Sequence, residues 1–279
     1  MPSTQHIVLS PHYDDAALSL GGAIAQLALA GEPVTVTTVF GGKPNLGQLS
    51  PFAASIHARM GGDPDLVSLR QREDAEAMAI LGARSRPGDY LDCIYRRDET
   101  GTRWLYDSQS ALFGPIASVE RGLSFELAQV IASLAGQPAG CILYAPLAVG
   151  RHVDHQILHR AGLILLDAGY QVQFYEDFPY VLRDPNGLAK SLDRSPRRYW
   201  RSRLVPLSEE ALARKVQAIA AYRSQIGVLF GSEEHIQPAV ESYARRAGGG
   251  AVAVERLWEC AARSPAASGP SLQSQEIAV

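Results

Sequence analysis

Cysteine is scarce in this chain. Three occur in 279 residues, at positions 93, 141 and 260, an odd number with no Cys-x-x-Cys pair. That excludes a disulfide framework and a four-cysteine metal knot. Two of the three fall in strand-like apolar runs, where buried free thiols are expected. Excess positive charge is also missing: 26 Lys and Arg stand against 29 Asp and Glu, a net charge of -3. Bulk nucleic-acid binding needs a basic surface, so nucleic acid is excluded as a partner. No apolar run reaches the roughly 18 residues that a membrane span takes. The first residues show no charged segment followed by an apolar one, so a cytoplasmic protein is expected. There is no internal repeat and no Gly-x-Gly-x-x-Gly phosphate loop; Gly21-Gly22 suits close packing against a neighbouring element instead. What is there, 46% hydrophobic and 20% charged, is an ordinary globular composition, long enough for one large α/β domain.

Apolar strand-like runs at 7–9, 34–40, 90–93, 141–145 and 172–175 alternate with helical patterns over 16–30, 66–81, 125–135 and 154–166. Gly31 and Gly82 stand where C-terminal caps belong. Near-continuously apolar strands alternating with helices predict an α/β fold, a mostly parallel sheet with helices on both faces. Two later helices are expected over 208–224 and 237–246. Residues 1–262 read as a single domain, and 263–279, rich in Ser, Ala and Pro, as a flexible tail. The long insertions 41–65 and 95–120 both follow strands and would overhang the same end of the sheet. They are the natural place for substrate selectivity, and their aromatic and proline content leaves room for a homo-oligomeric contact.

The chemistry is concentrated at two strand ends. His6-Ile-Val-Leu-Ser10 runs straight into Pro11-His12-Tyr13-Asp14-Asp15, and His152-Val153-Asp154-His155 follows the fourth run. In an open α/β sheet, ligands bind in the crevice beyond the carboxyl ends of the strands. Ionisable groups crowded there are costly unless a cation or a reaction needs them. His12 and Asp15, three apart across a turn entering a helix, can converge on one point, and His155 can supply a third ligand. Such a set leaves an open coordination position, as a catalytic zinc requires, and it accepts other divalent metals as well. Asp14 is then placed to take a proton from the attacking water. His152 can address the other side of a substrate carbonyl, and Asp154 can hold one imidazole in a single tautomer.

Blander readings compete at several positions. An Asp-Asp pair after a strand is by itself more often a helix cap and a solvated carboxylate; the second cluster argues against that here. His159 lies a turn deeper than His155 and reads as a packing residue. His6 and His57 carry no partner pattern, and Tyr144 reads as core. Lys215 and Gln225 read as structural. Arg70 either pairs with Glu73 on an exposed helix face or reaches the crevice. Glu176 and Asp177, just after the fifth run, either cap a turn or contact substrate hydroxyls or an ammonium group.

Residues 11–15 resemble the His-Pro-Asp-Asp-Glu signature of the PIG-L (LmbE-like) zinc deacetylases. Residues 152–155 resemble that family's second His-x-Asp-His element. Arg70-x-x-Glu73, Lys215 and Tyr222-Arg-Ser-Gln225 agree, so the marks span most of the chain. The resemblance implies a Rossmann-like fold and hydrolysis of an N-acyl amide, most often the acetamide of an N-acetylglucosaminyl group in a small molecule. It implies zinc held by His12, Asp15 and His155, with Asp14 as general base. His152 would stabilise the oxyanion or protonate the leaving amine, and Arg70 and Asp92 would contact substrate. Two departures stand out: Tyr13 replaces the usual proline, and Ala16 the usual glutamate. Two alternatives remain at this point. One is the same catalyst acting on a non-sugar amide, such as a thiol conjugate or a peptidic or lipidated natural product. The other is a sugar- or nucleotide-binding module without hydrolysis, which would hold no stoichiometric metal.

Overall fold

Helical returns bring successive apolar runs to the same edge-to-edge direction, so they pair in parallel. The computed structural model describes residues 4–184, 186–195 and 197–262. Its strands are β1 (Gln5–Ser10), β2 (Val34–Thr38), β3 (Arg84–Pro87), β4 (Cys141–Pro146), β5 (Gln171–Tyr175), β6 (Arg198–Pro206) and β7 (Val254–Ala262). They form one sheet in the order β3-β2-β1-β4-β5-β7-β6. The first five are parallel; β7 joins β5, and β6 joins β7, in antiparallel register. The helices are α1 (Asp15–Leu29), α2 (Pro51–Arg59), α3 (Leu66–Leu81), α4 (Gln109–Leu112), α5 (Leu123–Ala135) and α6 (Val153–Asp167). They continue with α7 (Tyr180–Arg183), α8 (Gly187–Asp193), α9 (Glu209–Ala220), α10 (Arg223–Leu229) and α11 (Ile236–Ala247).

Alternation along the strands separates two cores. Val8 of β1 and Tyr144 of β4 pack with α1, α3 and α9. Leu9, Leu143 and Ala145, one residue out of phase, pack with α5 and α6. Both faces of the sheet are thus covered, as the apolar strands predict. The strand order reverses between β1 and β4, and that is the switch point at which α/β sheets open a crevice.

The Gly21-Gly22 pair has a packing reason. A Cβ on Gly21 would lie 2.9 Å from Lys215 Cγ, and one on Gly22 would lie 2.6 Å from Leu207 Cδ1. Their absence lets α1 close on α9 and on Glu255 of β7. The buried Glu255 carboxylate takes the N–H groups of Gly22 and Ala23 at 2.9 and 2.7 Å and Lys215 Nζ at 2.7 Å. Lys215 is therefore structural, as its sequence context suggested.

Three expectations need correction. The run 90–93 is not the third strand: Leu91 makes only an isolated bridge to Gly42, and Asp92 caps a single 3-10 turn at Cys93–Tyr95. The true β3 is a largely exposed edge strand of Arg, Ser and Pro, which carries no apolar signal. The pattern over 208–224 is two helices, broken where Tyr222 turns in to bond Asp74 and Glu73 caps Ser224 N at 2.8 Å. The pair β6 and β7 was not anticipated, because β6 is mostly exposed and rich in arginine. Both long insertions are ordered and carry short helices. The cysteines are buried and free, and no described helix is long and apolar enough to cross a membrane. The expected tail, 263–279, lies outside the described residues.

Candidate active site

The turn leaving β1 is closed by its own side chains. Ser10 Oγ accepts from Ala16 N at 3.0 Å and donates to His12 O at 2.6 Å. Asp15, in the first turn of α1, folds back so that Oδ2 accepts from His12 N at 2.9 Å. The departure at Tyr13 has a counterpart in the fold. Its buried hydroxyl donates to Gly41 O at 3.0 Å, tying the start of α1 to the root of the insertion 41–65. A Cβ on Gly41 would sit 2.7 Å from that hydroxyl oxygen.

Folding back brings Asp15 Oδ2 to 3.1 Å from His12 Nδ1 and 3.2 Å from His155 Nε2. His155 comes from the first turn of α6, beyond β4. One ring nitrogen from each of His12, His152 and His155 lies within 4.8 Å of the other two. Donors held about 2.0–2.2 Å from a tetrahedral zinc stand roughly 3.3–3.6 Å apart, and the two contacts that Asp15 Oδ2 makes with His12 and His155 are close to that spacing. Two further observations fit a cation. Buried His155 Nε2 makes no hydrogen bond, only the close approach to Asp15 Oδ2. The cluster also favours positive charge: burial pushes His155 down, but Asp15 and Asp177 overcome it and raise the imidazole to about 10. His12 is likewise raised, by Asp92, Asp15 and Asp154 against burial. Asp15 is held well below the carboxylate range by the two histidines, although burial opposes them.

Adjacent Asp14 points elsewhere. Its Oδ1 pairs with Arg70 Nη2 at 3.0 Å. Burial raises its pKa, with the Arg70 charge opposing, which makes it a stronger base than a solvated carboxylate. Arg70 therefore does not pair with Glu73, whose carboxylate caps α10 instead. His152 caps α6, its Nδ1 accepting from Asp154 N at 3.3 Å. The ring proton is then on Nε2, and burial together with the His12 charge keeps the imidazole neutral. The connection before it contains left-handed Ala148 (φ 58°) and Arg151 (φ 69°), an unusual backbone for side-chain-bearing residues.

Asp154 is fully buried and holds His12 rather than His152. Its Oδ2 lies 3.0 Å from His12 Nε2 and accepts from Cys93 N at 3.0 Å. Asp92 lies at the crevice, Oδ2 3.6 Å from His12 Nε2. The two acidic residues after β5 do not reach the crevice as substrate contacts. Glu176 is buried in a knot with Tyr243, Arg256 and Trp258. Asp177 accepts from His155 Nδ1 at 2.6 Å and from Val149 N at 2.8 Å. Burial on both sides of β5 leaves neither carboxylate a path to solvent. His159 bonds Pro146 O and stacks on Trp200, away from the cluster. His6 bonds the Tyr144 hydroxyl at 2.8 Å.

These groups open into a crevice of about 220 Å³. Its floor carries His12, Asp14, Asp15, Arg70, Asp92 and His152. The walls come from the two insertions, α7 and α10: Ile56, Met60, Tyr95, Leu112, Phe113, Tyr180 and Val228. Sequence reasoning did not single out Tyr95, Phe113 or Tyr180, which lie in segments without a readable period.

A model of the PIG-L family, described as GlcNAc-PI de-N-acetylase, matches residues 7–166, more than half of the chain and both histidine elements. The chain belongs to the PIG-L family. Among relatives of this PIG-L protein is the 2'-N-acetylparomamine deacetylase of Niallia circulans, 29% identical over 237 residues, which are 81% of this chain and 82% of that protein. The 2'-N-acetylparomamine deacetylase of Streptomyces fradiae is 29% identical over 228 residues, covering 78% and 72%. A crystal structure of the zinc-inhibited form of the teicoplanin deacetylase Orf2 is similar with a TM-score of 0.80 at 29% identity, covering 94% of this chain and 100% of that one.

Proposed function

We propose that this PIG-L protein is a metal-dependent N-deacetylase that hydrolyses the acetamide of an aminosugar-bearing small molecule. His12, Asp15 and His155 would hold the metal, and the two-nitrogen, one-oxygen donor set suits zinc. The observation that carries this is the placement of Asp15 Oδ2 within 3.2 Å of a nitrogen of each histidine, with Asp14 and His152 lining the same crevice. When bound, the metal supplies Lewis-acid polarisation of the acyl carbonyl and acidifies a water at the open position.

The protein's own residues do the rest. Asp14, raised in pKa and oriented by Arg70, accepts the proton of the attacking water. His152, neutral with its proton on Nε2, donates a hydrogen bond to the acyl oxygen as charge gathers there. The C–N bond breaks as Asp14 returns its proton to the leaving nitrogen, releasing acetate and a free amine. Asp177 and Asp154 hold His155 and His12 in single tautomers. Asp92 is the carboxylate placed to accept from sugar hydroxyls. The apolar walls favour substrates in which the acylated sugar also carries an apolar group.

The test is acetate release from a panel of N-acetylated aminosugar compounds and non-sugar amides, with zinc supplied. Turnover of an aminosugar amide is expected, and Asp14→Asn should lower kcat about 10²–10⁴-fold with metal content unchanged. Turnover confined to non-sugar amides would move the assignment to that substrate class, and no amide turnover at all would sink it.

A further inference from the structure

We infer that Arg96, at the root of the insertion 95–120, is a positioning residue of the metal centre: it clamps Asp154 so that Asp154 keeps His12 turned toward Asp15 and His155. The inference rests on the reading of those three residues as metal ligands.

Arg96 is nearly buried, and its guanidinium is ion-paired to two carboxylates. Nη2 meets Asp154 Oδ1 at 2.6 Å, and Nε meets Glu120 Oε1 at 2.6 Å. Nη1 donates to Leu91 O at 2.9 Å. Its faces lie against Phe40 and Tyr106, with centroids at 5.1 and 5.4 Å. The far end of the insertion completes the clamp, because the Tyr106 hydroxyl donates to Glu120 Oε2 at 2.6 Å. A planar guanidinium held between two rings and anchored to Leu91 O and Glu120 keeps its charge at a fixed place beside Asp154 Oδ1.

The orientation matters because His12 Nε2 has two carboxylates within reach. Asp154 Oδ2 is at 3.0 Å, and Asp92 Oδ2, at the crevice, is at 3.6 Å. With Asp154 fixed, Nε2–H points into the protein and Nδ1 faces Asp15. An Asp154 free to turn would give that N–H to Asp92 and rotate Nδ1 away from Asp15. The insertion thus reaches under the crevice as well as forming its wall.

Zinc affinity of the purified protein, measured by chelator competition, tests this through Arg96→Lys, Asp154→Asn and the double variant. Lysine keeps the charge that balances buried Asp154 and removes only the fork. Each single variant should bind zinc about 10–100-fold more weakly, as loss of a group supporting a ligand does. The double variant should be no weaker than Asp154→Asn alone, because both act through one contact. A purely structural Arg96 would lower the melting temperature of the metal-free protein and leave zinc affinity alone, or multiply with Asp154→Asn. Either result, or an Arg96→Lys zinc affinity within about twofold of wild type, overturns the inference. Glu120→Gln loosens the clamp from its outer side and covers the case in which Arg96→Lys does not fold. It should weaken zinc binding several-fold, and unchanged affinity would count against the clamp. A wild-type protein that takes up no zinc removes the ligand reading and this inference with it.

Discussion

Asparagine at 177 puts a geometric conflict beneath the metal site. The Asp177 carboxylate is 1% exposed and receives two donors, His155 Nδ1 at 2.6 Å and Val149 N at 2.8 Å, one on each oxygen. Asparagine offers one acceptor oxygen and one NH₂ group, so one of the two buried donors must face another donor. Turned one way, Val149 N–H is orphaned and the strained connection before His152 loses its pin. Turned the other way, His155 loses the group that sets its tautomer. An unsatisfied buried donor costs about 1–3 kcal/mol, and loss of a ligand's supporting hydrogen bond weakens metal binding about 10–100-fold. Asp177→Asn should therefore lower the melting temperature of the metal-free protein by roughly 2–4 °C per kcal/mol. Chelator competition should show the weaker metal affinity in the same samples. Glu176→Gln is the control from the neighbouring position. It disturbs the knot with Tyr243, Arg256 and Trp258, so it should cost stability and leave metal affinity unchanged. If Asp177→Asn binds metal like wild type and melts at the same temperature, the coupling of Asp177 to His155 is refuted.

Other outcomes follow from the same structure. Burial pushes His159 down to about 4 from an ordinary value near 6.5. A depressed imidazole stabilises the fold above the unfolded value, and that contribution is lost as pH falls from 6.5 through 4. Wild type should lose about 2 kcal/mol of this contribution by pH 5, whereas His159→Gln should lack that increment in urea titrations at pH 7.5 and 5; parallel pH profiles would remove the assignment. Glu255→Ala leaves Lys215 buried without its counter-ion and should cost about 3–5 kcal/mol, read as a lower urea midpoint; a change under about 1 kcal/mol would show the pair to be solvated. Tyr13→Phe deletes the hydroxyl bonded to Gly41 O and should cost about 1 kcal/mol, with faster hydrogen exchange at the root of the insertion 41–65; exchange equal to wild type there would show that Tyr13 does not anchor it.

The alternation of apolar runs and helical periods was legible because strands buried on both faces need continuous apolar sequence. The same rule hid β3 and β6: as exposed edges they have no apolar period, and 90–93 mimicked a strand while folding as a capped turn. At the site, His12, Asp14, Asp15, His152 and His155 were readable because short spacings at strand ends limit where those side chains can go. The partners of distant residues were not readable. Arg70 and Glu73 are spaced for an ion pair on one helix face, yet Arg70 reaches Asp14, 56 residues away. Glu176 and Asp177 read as crevice contacts, but the sheet buries both and gives each a different neighbour. Arg96 sits in an Arg-Arg-Asp-Glu run, and nothing local marks it as buried. Spacing along a chain determines which nearby groups converge and hence the class of chemistry. Which carboxylate meets which cation across the sheet is decided by packing, because those contacts arise only when separate helices and insertions close on the same strand ends.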